Sequence, residues 1–285
     1  MSDDFRLGGD LPINRLGLGA MRLPTNGFRG PARDPAVGRA VLRRAVELGV
    51  NHIDTAGFYA DGSGTVRAND LIREALHPYR PGLVVATKVG PLFGAGGVTE
   101  AGPGELRGLV ESDRDSLGVD RLDLVYLRVG GPAGTGPGSV AARFEALAAL
   151  REEGLIRHLG LSNVTAAQLA EARAIAPVAA VQNHFNTARR GDADLLAVCA
   201  DAGIGFAPFF PLGGGTAGAS DAAGGALAPV AARHGATVPQ IALAWLLALS
   251  PVTLAIAGTG SVAHLEENMA AGTIALTARD LAELS

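Results

Sequence analysis

The chain of 285 residues contains one cysteine and one lysine. A lone thiol excludes an internal disulfide and any cysteine-rich metal site. Cys199 lies in the helical stretch Asp194–Ala200, where it reads as a small buried hydrophobe. Only 18% of residues are charged against 48% hydrophobic, which excludes a disordered chain. No apolar run approaches about 18 residues, so no membrane span is expected. The start, Met1-Ser-Asp-Asp-Phe5, is polar and shows no signal region. A formal charge of −4 gives no reason to expect nucleic acid or an acidic membrane as partner. None of the six histidines forms an i, i+4 pair with a convincing carboxylate partner, so no metal site is expected. The expectation is a soluble cytoplasmic protein, a monomer or weak homo-oligomer, acting on a small molecule.

Lysine is the more informative scarcity. Of the 24 basic residues 23 are arginine, and the exception, Lys88, ends the β-branched run Leu83-Val-Val-Ala-Thr-Lys88. Arginine is a planar fork that stays charged, whereas lysine is a compact point charge whose pKa responds to its surroundings. A buried site that needs one small cation aimed at one oxygen would refuse the exchange. The alternative, a surface lysine retained by chance, fits poorly with an apolar strand.

What is abundant is alternation. Strand candidates at Leu16–Ala20, Val50–Asp54, Leu83–Lys88, Leu122–Leu127, His158–Ser162, Ala179–Asn183, Ile204–Phe209 and Val252–Ala257 are separated by helical patterns. The latter include Val37–Leu48, Leu106–Leu117, Ser139–Glu153, Ala166–Ile175, Ala193–Ala202 and Val238–Leu249. Gly49, Gly154 and Gly203 stand where helices should stop, and Thr165 and Thr237 where two should start. Eight strands with intervening helices predict an α/β protein with a (β/α)8 TIM barrel, one domain over residues 1–285. A doubly wound sheet is the alternative, but Gly17-Leu-Gly19 lacks the third glycine of a dinucleotide fingerprint. The stretches Gly90–Gly104, Gly130–Gly138 and Gly213–Gly225 follow strands and read as loops at the mouth.

Catalytic residues of a barrel come from the C-terminal ends of its strands. Asp54, Lys88 and Arg128 stand at such ends, and Tyr59 follows Asp54 by five residues. A carboxylate beside an ammonium keeps both charged, and the ammonium should lower the pKa of a nearby phenol from about 10. Such a phenol can give a proton to a carbonyl oxygen and recover it in reverse. The chemistry implied is carbonyl reduction or alcohol oxidation, with hydride from a bound cofactor.

These residues resemble those of the aldo-keto reductases. The similarity runs through His52-Ile-Asp-Thr-Ala-Gly-Phe-Tyr59, Arg157-His-Leu-Gly-Leu-Ser-Asn163, Ala180-Val-Gln182, Phe210-Pro-Leu-Gly213 and Ile256-Ala-Gly-Thr259, on to Glu267-Asn268. The resemblance implies that Asp54, Tyr59 and Lys88 are catalytic and that NADPH, or NADH, is the cofactor. It implies that Ser162, Asn163 and Gln182 hold the nicotinamide carboxamide and that Phe209 stacks on the ring. Leu212 and Gly213 should follow the pyrophosphate. Thr259, Gly260, Ser261, His264, Glu267 and Asn268 should surround the adenosine end, with Gly19, Ala20, Met21, Asp54, Phe210 and Gly258 completing the cofactor site.

Two positions depart from the family. Arg128, in Asp123-Leu-Val-Tyr-Leu-Arg128, replaces its catalytic histidine. Arginine does not titrate near neutrality, but its N–H groups can polarise a carbonyl or grip an oxyanion. Gly258 and His264 replace the lysine and arginine that many members direct at the 2′-phosphate, which leaves the cofactor preference open. Leu127–Gly130, Pro208–Gly213 and Ser261–His264 resemble a bacterial branch that includes pyridoxal reductases (pyridoxine 4-dehydrogenases). Reduction of pyridoxal to pyridoxine is therefore the favoured reaction. The alternatives are a sugar or biosynthetic-ketone reductase, and a slow NADPH-binding regulatory subunit. The chain ends soon after the last of these motifs, without the longer tail that closes the pocket of some relatives, so selectivity should rest on the three glycine-rich stretches. His52 and His158 read as interior fillers, His184 as able to reach the mouth, Trp245 as helix packing and Arg189-Arg190 as a solvated pair.

Overall fold

Each of the eight expected strands forms. The structure, a computed structural model, describes residues 4–94, 97–131, 135–136, 138–215 and 219–284. A hairpin of β1 (Asp4–Leu7) and β2 (Leu11–Asn14) leads into β3 (Leu16–Gly19), α1 (Pro35–Glu47), β4 (His52–Asp54), α2 (Ala68–Leu76) and β5 (Val84–Val89). A second hairpin, β6 (Pro91–Gly94) and β7 (Gly97–Glu100), precedes α3 (Leu106–Leu117), β8 (Leu122–Arg128), α4 (Ala141–Glu152), β9 (Ile156–Ser162) and α5 (Ala166–Ile175). Then come β10 (Val178–Gln182), α6 (Ala193–Asp201), β11 (Gly205–Phe206), α7 (Ala219–His234), α8 (Val238–Leu249), β12 (Ala255–Gly258), α9 (Val262–Ala270) and α10 (Ala278–Glu283).

The order β12-β3-β4-β5-β8-β9-β10-β11 is parallel throughout. The ring closes where the Phe206 N–H donates to the Val252 carbonyl and the Leu254 N–H to the Phe206 carbonyl, both at 2.8 Å. The fold is a (β/α)8 barrel. Strand side chains alternate between faces. Val85, Val125, Leu127 and Val181 therefore face the helices, while Val84, Ala86, Leu124, Tyr126 and Ala180 fill the interior. Tyr126 fits because Gly160 lies beside it: a Cβ there would sit 2.6 Å from the tyrosine ring. The first hairpin adds Leu7, Leu11 and Ile13 to this inner layer and closes the N-terminal end. Asp10 clasps it to β9, accepting from Arg157 at 2.7 Å and meeting His158 Nε2 at 2.6 Å.

The local signals hold in detail. Thr165 and Thr237 each cap a helix in a reciprocal box with Gln168 and Gln240. Gly49, Gly154 and Gly203 have φ of +91°, +84° and +65°, as left-handed helix stops require. Cys199 is buried, and burial pushes its thiol up to about 12. Trp245 is buried in α8, stacked on Phe185.

Three readings need correction. The stretch Gly90–Gly104 contains the β6–β7 hairpin, because Phe93 and Val98 pair across it. Gly213–Gly225 contains the start of α7, whose alanines and the buried Leu227, Val230 and Ala231 outweigh the helix cost of Gly224 and Gly225. Residues 95–96, 132–134, 137 and 216–218 of the three glycine-rich stretches lie outside the described residues. Arg190 is not a solvated charge: it donates to the Leu284 carbonyl at 2.6 Å and its guanidinium lies over Trp245. Among the described residues no helix is long and apolar enough to cross a membrane.

Candidate active site

The alternation that fills the barrel also sets its mouth. Counting inward positions up each strand ends on Asp54 of β4, Lys88 of β5, Arg128 of β8, Ser162 of β9 and Gln182 of β10. Lys88 Nζ donates to Asp54 Oδ1 at 2.6 Å and to the Thr55 carbonyl at 2.9 Å. Gln182 Nε2 donates to the other oxygen, Asp54 Oδ2, at 2.7 Å. Asp54 and Lys88 are each 3% exposed, so this ion pair is dry. Tyr59 stands above it, with Lys88 Nζ 4.8 Å from its ring centroid. Arg128 donates to Ser162 Oγ at 3.1 Å, and its guanidinium lies 4.7 Å from the Phe209 ring centroid. His184 stacks on the same Phe209 with centroids 5.2 Å apart.

Burial decides the electrostatics. It pulls the Lys88 pKa down, but Asp54 and Tyr59 more than restore it, and the net shift is upward. Burial raises the Tyr59 phenol, and Lys88 and Arg128 offset this only in part. The expected lowering of Tyr59 is therefore corrected: the phenol lies above its ordinary value, because desolvation of a phenolate costs more than the two cations return. Arg128 is pulled below its ordinary value by burial. His52, one inward position below Asp54, is pushed down to about 4 by burial and is neutral. Its ring nitrogens and the Tyr126 hydroxyl have no hydrogen-bond partner among the described residues.

A cavity of about 440 Å³ opens above this floor. Asp54, Tyr59, Lys88 and Arg128 all line it, as do Gly19, Met21, Gln182, Phe209, Phe210, Leu212 and Gly258. Ser162 and Asn163 lie just behind the wall, Ser162 under Arg128 and Asn163 donating to the Val129 carbonyl at 2.7 Å. Ala20 is fully buried, and Gly213 opens a short helical turn beside Leu212. Three non-glycine residues among those described, Arg29, Asn163 and Phe210, have positive φ of 53°, 63° and 54°, and Asn186 anchors the Phe210 carbonyl at 3.0 Å. Strained backbone of this kind clusters at functional sites.

The remaining residues gather apart, at the N-terminus of α9. Ser261 caps it, receiving the His264 N–H, and Thr259 Oγ1 accepts from the Ser261 N–H at 3.1 Å. Asn268 is buried there, and Glu267 accepts from Thr237 Oγ1 at 2.6 Å, which ties it to α8. Gly260 lies against the Arg33 guanidinium, a cation that sequence reasoning did not single out.

Sequence reasoning also missed the cavity's aromatic wall. Phe28, Phe58 and Phe93 form a chain of ring contacts, with centroids 5.7 Å apart for Phe28–Phe93 and 5.4 Å for Phe58–Phe93. Phe58 continues it to Tyr59 at 5.2 Å, and Arg29 lies over Phe93. These residues come from three separate segments, and only Phe58 lies within a motif that could have pointed to it.

Comparison with known proteins shows the family. The sequence profile described as the Aldo/keto reductase family matches residues 15–285. Pyridoxine 4-dehydrogenase of Escherichia coli (strain K12) is 47% identical over 99% of this chain and 97% of its own. An aldo-keto reductase from Klebsiella pneumoniae, solved in complex with NADPH, superposes with a TM-score of 0.82 at 27% identity over 100% of this chain and 94% of its own. A further Klebsiella pneumoniae structure, with NADP and acetate, gives a TM-score of 0.80 at 27% identity over the same shares. By sequence and fold, the chain belongs to the aldo/keto reductase family.

Proposed function

We propose that this protein is an NADPH-dependent reductase that converts pyridoxal, an aromatic aldehyde, to pyridoxine. The observation that carries the substrate class is the cavity itself: a cationic floor of Lys88 and Arg128 beneath an apolar wall of Phe28, Phe58 and Phe93. A flat heteroaromatic ring suits such a wall, through ring contacts worth about 0.5–1.5 kcal/mol each beyond their buried area. A polyol would leave its hydroxyls facing hydrocarbon without partners.

The residues present fit the nicotinamide cofactor. Gln182 Oε1 is a buried acceptor without a partner among the described residues. The wall beside it is bare at Gly19 and Gly258, where a Cβ would lie 3.0 Å from the Ile256 and Gly19 carbonyls respectively. Gln182, with Ser162 and Asn163, would hold the carboxamide, and Phe209 would offer its ring face. Leu212 and Gly213 would follow the pyrophosphate, and Thr259, Gly260, Ser261, His264, Glu267 and Asn268 the adenosine end. When bound, NADPH supplies the hydride.

The chain's own residues manage the proton and the charge. Tyr59, neutral because burial raises its pKa, donates its phenolic proton to the carbonyl oxygen. Lys88, fixed by Asp54 and the Thr55 carbonyl, makes the resulting phenolate bearable in a dry site. Arg128 presents N–H donors to the substrate oxygens, the phenolic oxygen beside the aldehyde of pyridoxal among them. Ser162 and Phe209 hold the guanidinium in its plane.

A panel of NADPH oxidation assays against pyridoxal, small aromatic aldehydes, aldoses and cyclic ketones tests this reading. Pyridoxal should give the highest kcat/KM, with aromatic aldehydes next. Selective activity on an aldose would remove the substrate assignment. Tight NADPH binding without turnover on any carbonyl would instead favour a regulatory subunit.

A further inference from the structure

Asp113 is a buried carboxylate that the mechanism above does not use. It projects from α3 onto the outer side of β5, behind Lys88, and is 3% exposed. Thr87 Oγ1 donates to its Oδ2 at 2.5 Å, and Asn69 Nδ2 to its Oδ1 at 3.3 Å. Asn69 also donates to Ser116 Oγ at 3.0 Å and accepts from Thr55 Oγ1 at 2.8 Å. Thr55 is the residue whose carbonyl receives Lys88. Gly57 lies so close that a Cβ there would sit 2.1 Å from Asp113 Oδ1, and Arg67 Nη2 points at the Gly57 carbonyl at 3.4 Å. The 55–59 segment that carries Tyr59 is thus bordered by one carboxylate on the far side of the strand.

We propose that Asp113 is a positioning residue for the reaction, holding the 55–59 segment and, through Thr87, Asn69 and Thr55, the Lys88 ammonium in register from outside the barrel. The inference rests on the catalytic reading of Tyr59 and Lys88. A carboxylate accepts on both oxygens, whereas a carboxylic acid donates on one, so protonation must turn over the bonds to Thr87 or Asn69. The charged groups that face it are Arg67, before α2, and Lys88, across β5; Ser116 and Asn69 complete the shell. Burial against these contacts pushes Asp113 up to about 6, so this rearrangement falls within the working range of an assay.

The test compares Asp113→Asn, Thr87→Val and Thr87→Ser in the full chain. Asp113→Asn and Thr87→Val should lower kcat about 10- to 100-fold, the scale of a sub-ångström to one-ångström misplacement. NADPH affinity, measured by fluorescence titration, should hold within about twofold. Thr87→Ser, which keeps the hydroxyl, should restore activity. The acid limb of kcat near pH 6 should vanish in Asp113→Asn. With ¹³C-labelled tyrosine, the Tyr59 resonance of the parent should move through the same pH range, and in Asp113→Asn it should not. Folded variants with parental kcat, pH profile and Tyr59 resonance would overturn the proposal, whatever their Tm. If the parent reduces no carbonyl, the catalytic reading fails, and the Tyr59 resonance still decides the positioning role.

Discussion

Replacing Lys88 by arginine keeps the charge and changes only its shape, which makes it the sharpest perturbation of the floor. The ammonium donates to Asp54 Oδ1 at 2.6 Å and to the Thr55 carbonyl at 2.9 Å, and only 3% of the residue is exposed. A guanidinium is longer and wider than this slot. Overpacking a filled interior costs about 1–3 kcal/mol, which for a chain of this size lowers Tm by about 2–5 °C. The ion pair can survive that strain, but not at its present geometry. A displacement of about 1 Å at the reacting centre costs about 100-fold in rate. Lys88→Arg should therefore lose about two orders of magnitude in kcat while staying folded and binding NADPH. Lys88→Met supplies the contrast: it leaves Asp54 buried without its cation, a loss of about 3–5 kcal/mol, so stability and rate should both collapse. The readouts are thermal melting by circular dichroism, NADPH fluorescence titration and NADPH oxidation with pyridoxal or a simple aromatic aldehyde. A Lys88→Arg enzyme within about threefold of the parent rate would refute the argument that the site requires a point charge.

Tyr59→Phe should lose more than about 100-fold in kcat with cofactor binding intact. Because burial raises the phenol above its ordinary value, Tyr59 should stay protonated through neutrality. Titration of Tyr59 should then slow reduction only under alkaline conditions, separately from the acid limb assigned to Asp113, while alcohol oxidation, which needs the phenolate, should keep rising with pH; an alkaline limb of reduction beginning near neutrality in Asp113→Asn would contradict this. Arg128→Leu should raise KM for pyridoxal by about tenfold or more, the worth of a charge-assisted hydrogen bond, and an Arg128→His enzyme as active as the parent would remove the electrophilic role. Phe93→Ala should raise KM for aromatic aldehydes by about two- to tenfold and leave short aliphatic aldehydes unchanged, as steady-state kinetics would reveal. Asp280, held by Thr277, His234 and Arg233, is well below its ordinary value. Its contribution to stability is thus present above its unfolded pKa and lost as pH falls; Asp280→Asn should lower Tm at neutral pH and flatten the acid side of the stability profile.

The barrel was legible because its signal is repetitive. Eight short apolar runs each place alternate residues inward, and the same period of two carries Asp54, Lys88 and Arg128 to the mouth without any knowledge of contacts. Capping chemistry was equally readable at Thr165 and Thr237, because a cap needs only its own helix. What was hidden depends on folding partners far apart in sequence. The wall of Phe28, Phe58 and Phe93 exists only when three segments far apart in sequence meet. The direction of the Tyr59 shift depends on how dry the site is, and neighbouring charges in the sequence point the other way. Arg33 beside Gly260 likewise joins the segment before α1 to the one before α9, and no local pattern announces it.

The first hairpin has a consequence for traffic. With Leu7, Leu11 and Ile13 seated in the barrel and Asp10 fastened to Arg157 and His158, the lower end is stoppered. Among the described residues, the floor then meets solvent at the mouth. A ligand standing there would cover Tyr59 and Lys88, which line the cavity. In the proposed reaction, Tyr59 would then recover its proton from water between turnovers, when the mouth is open.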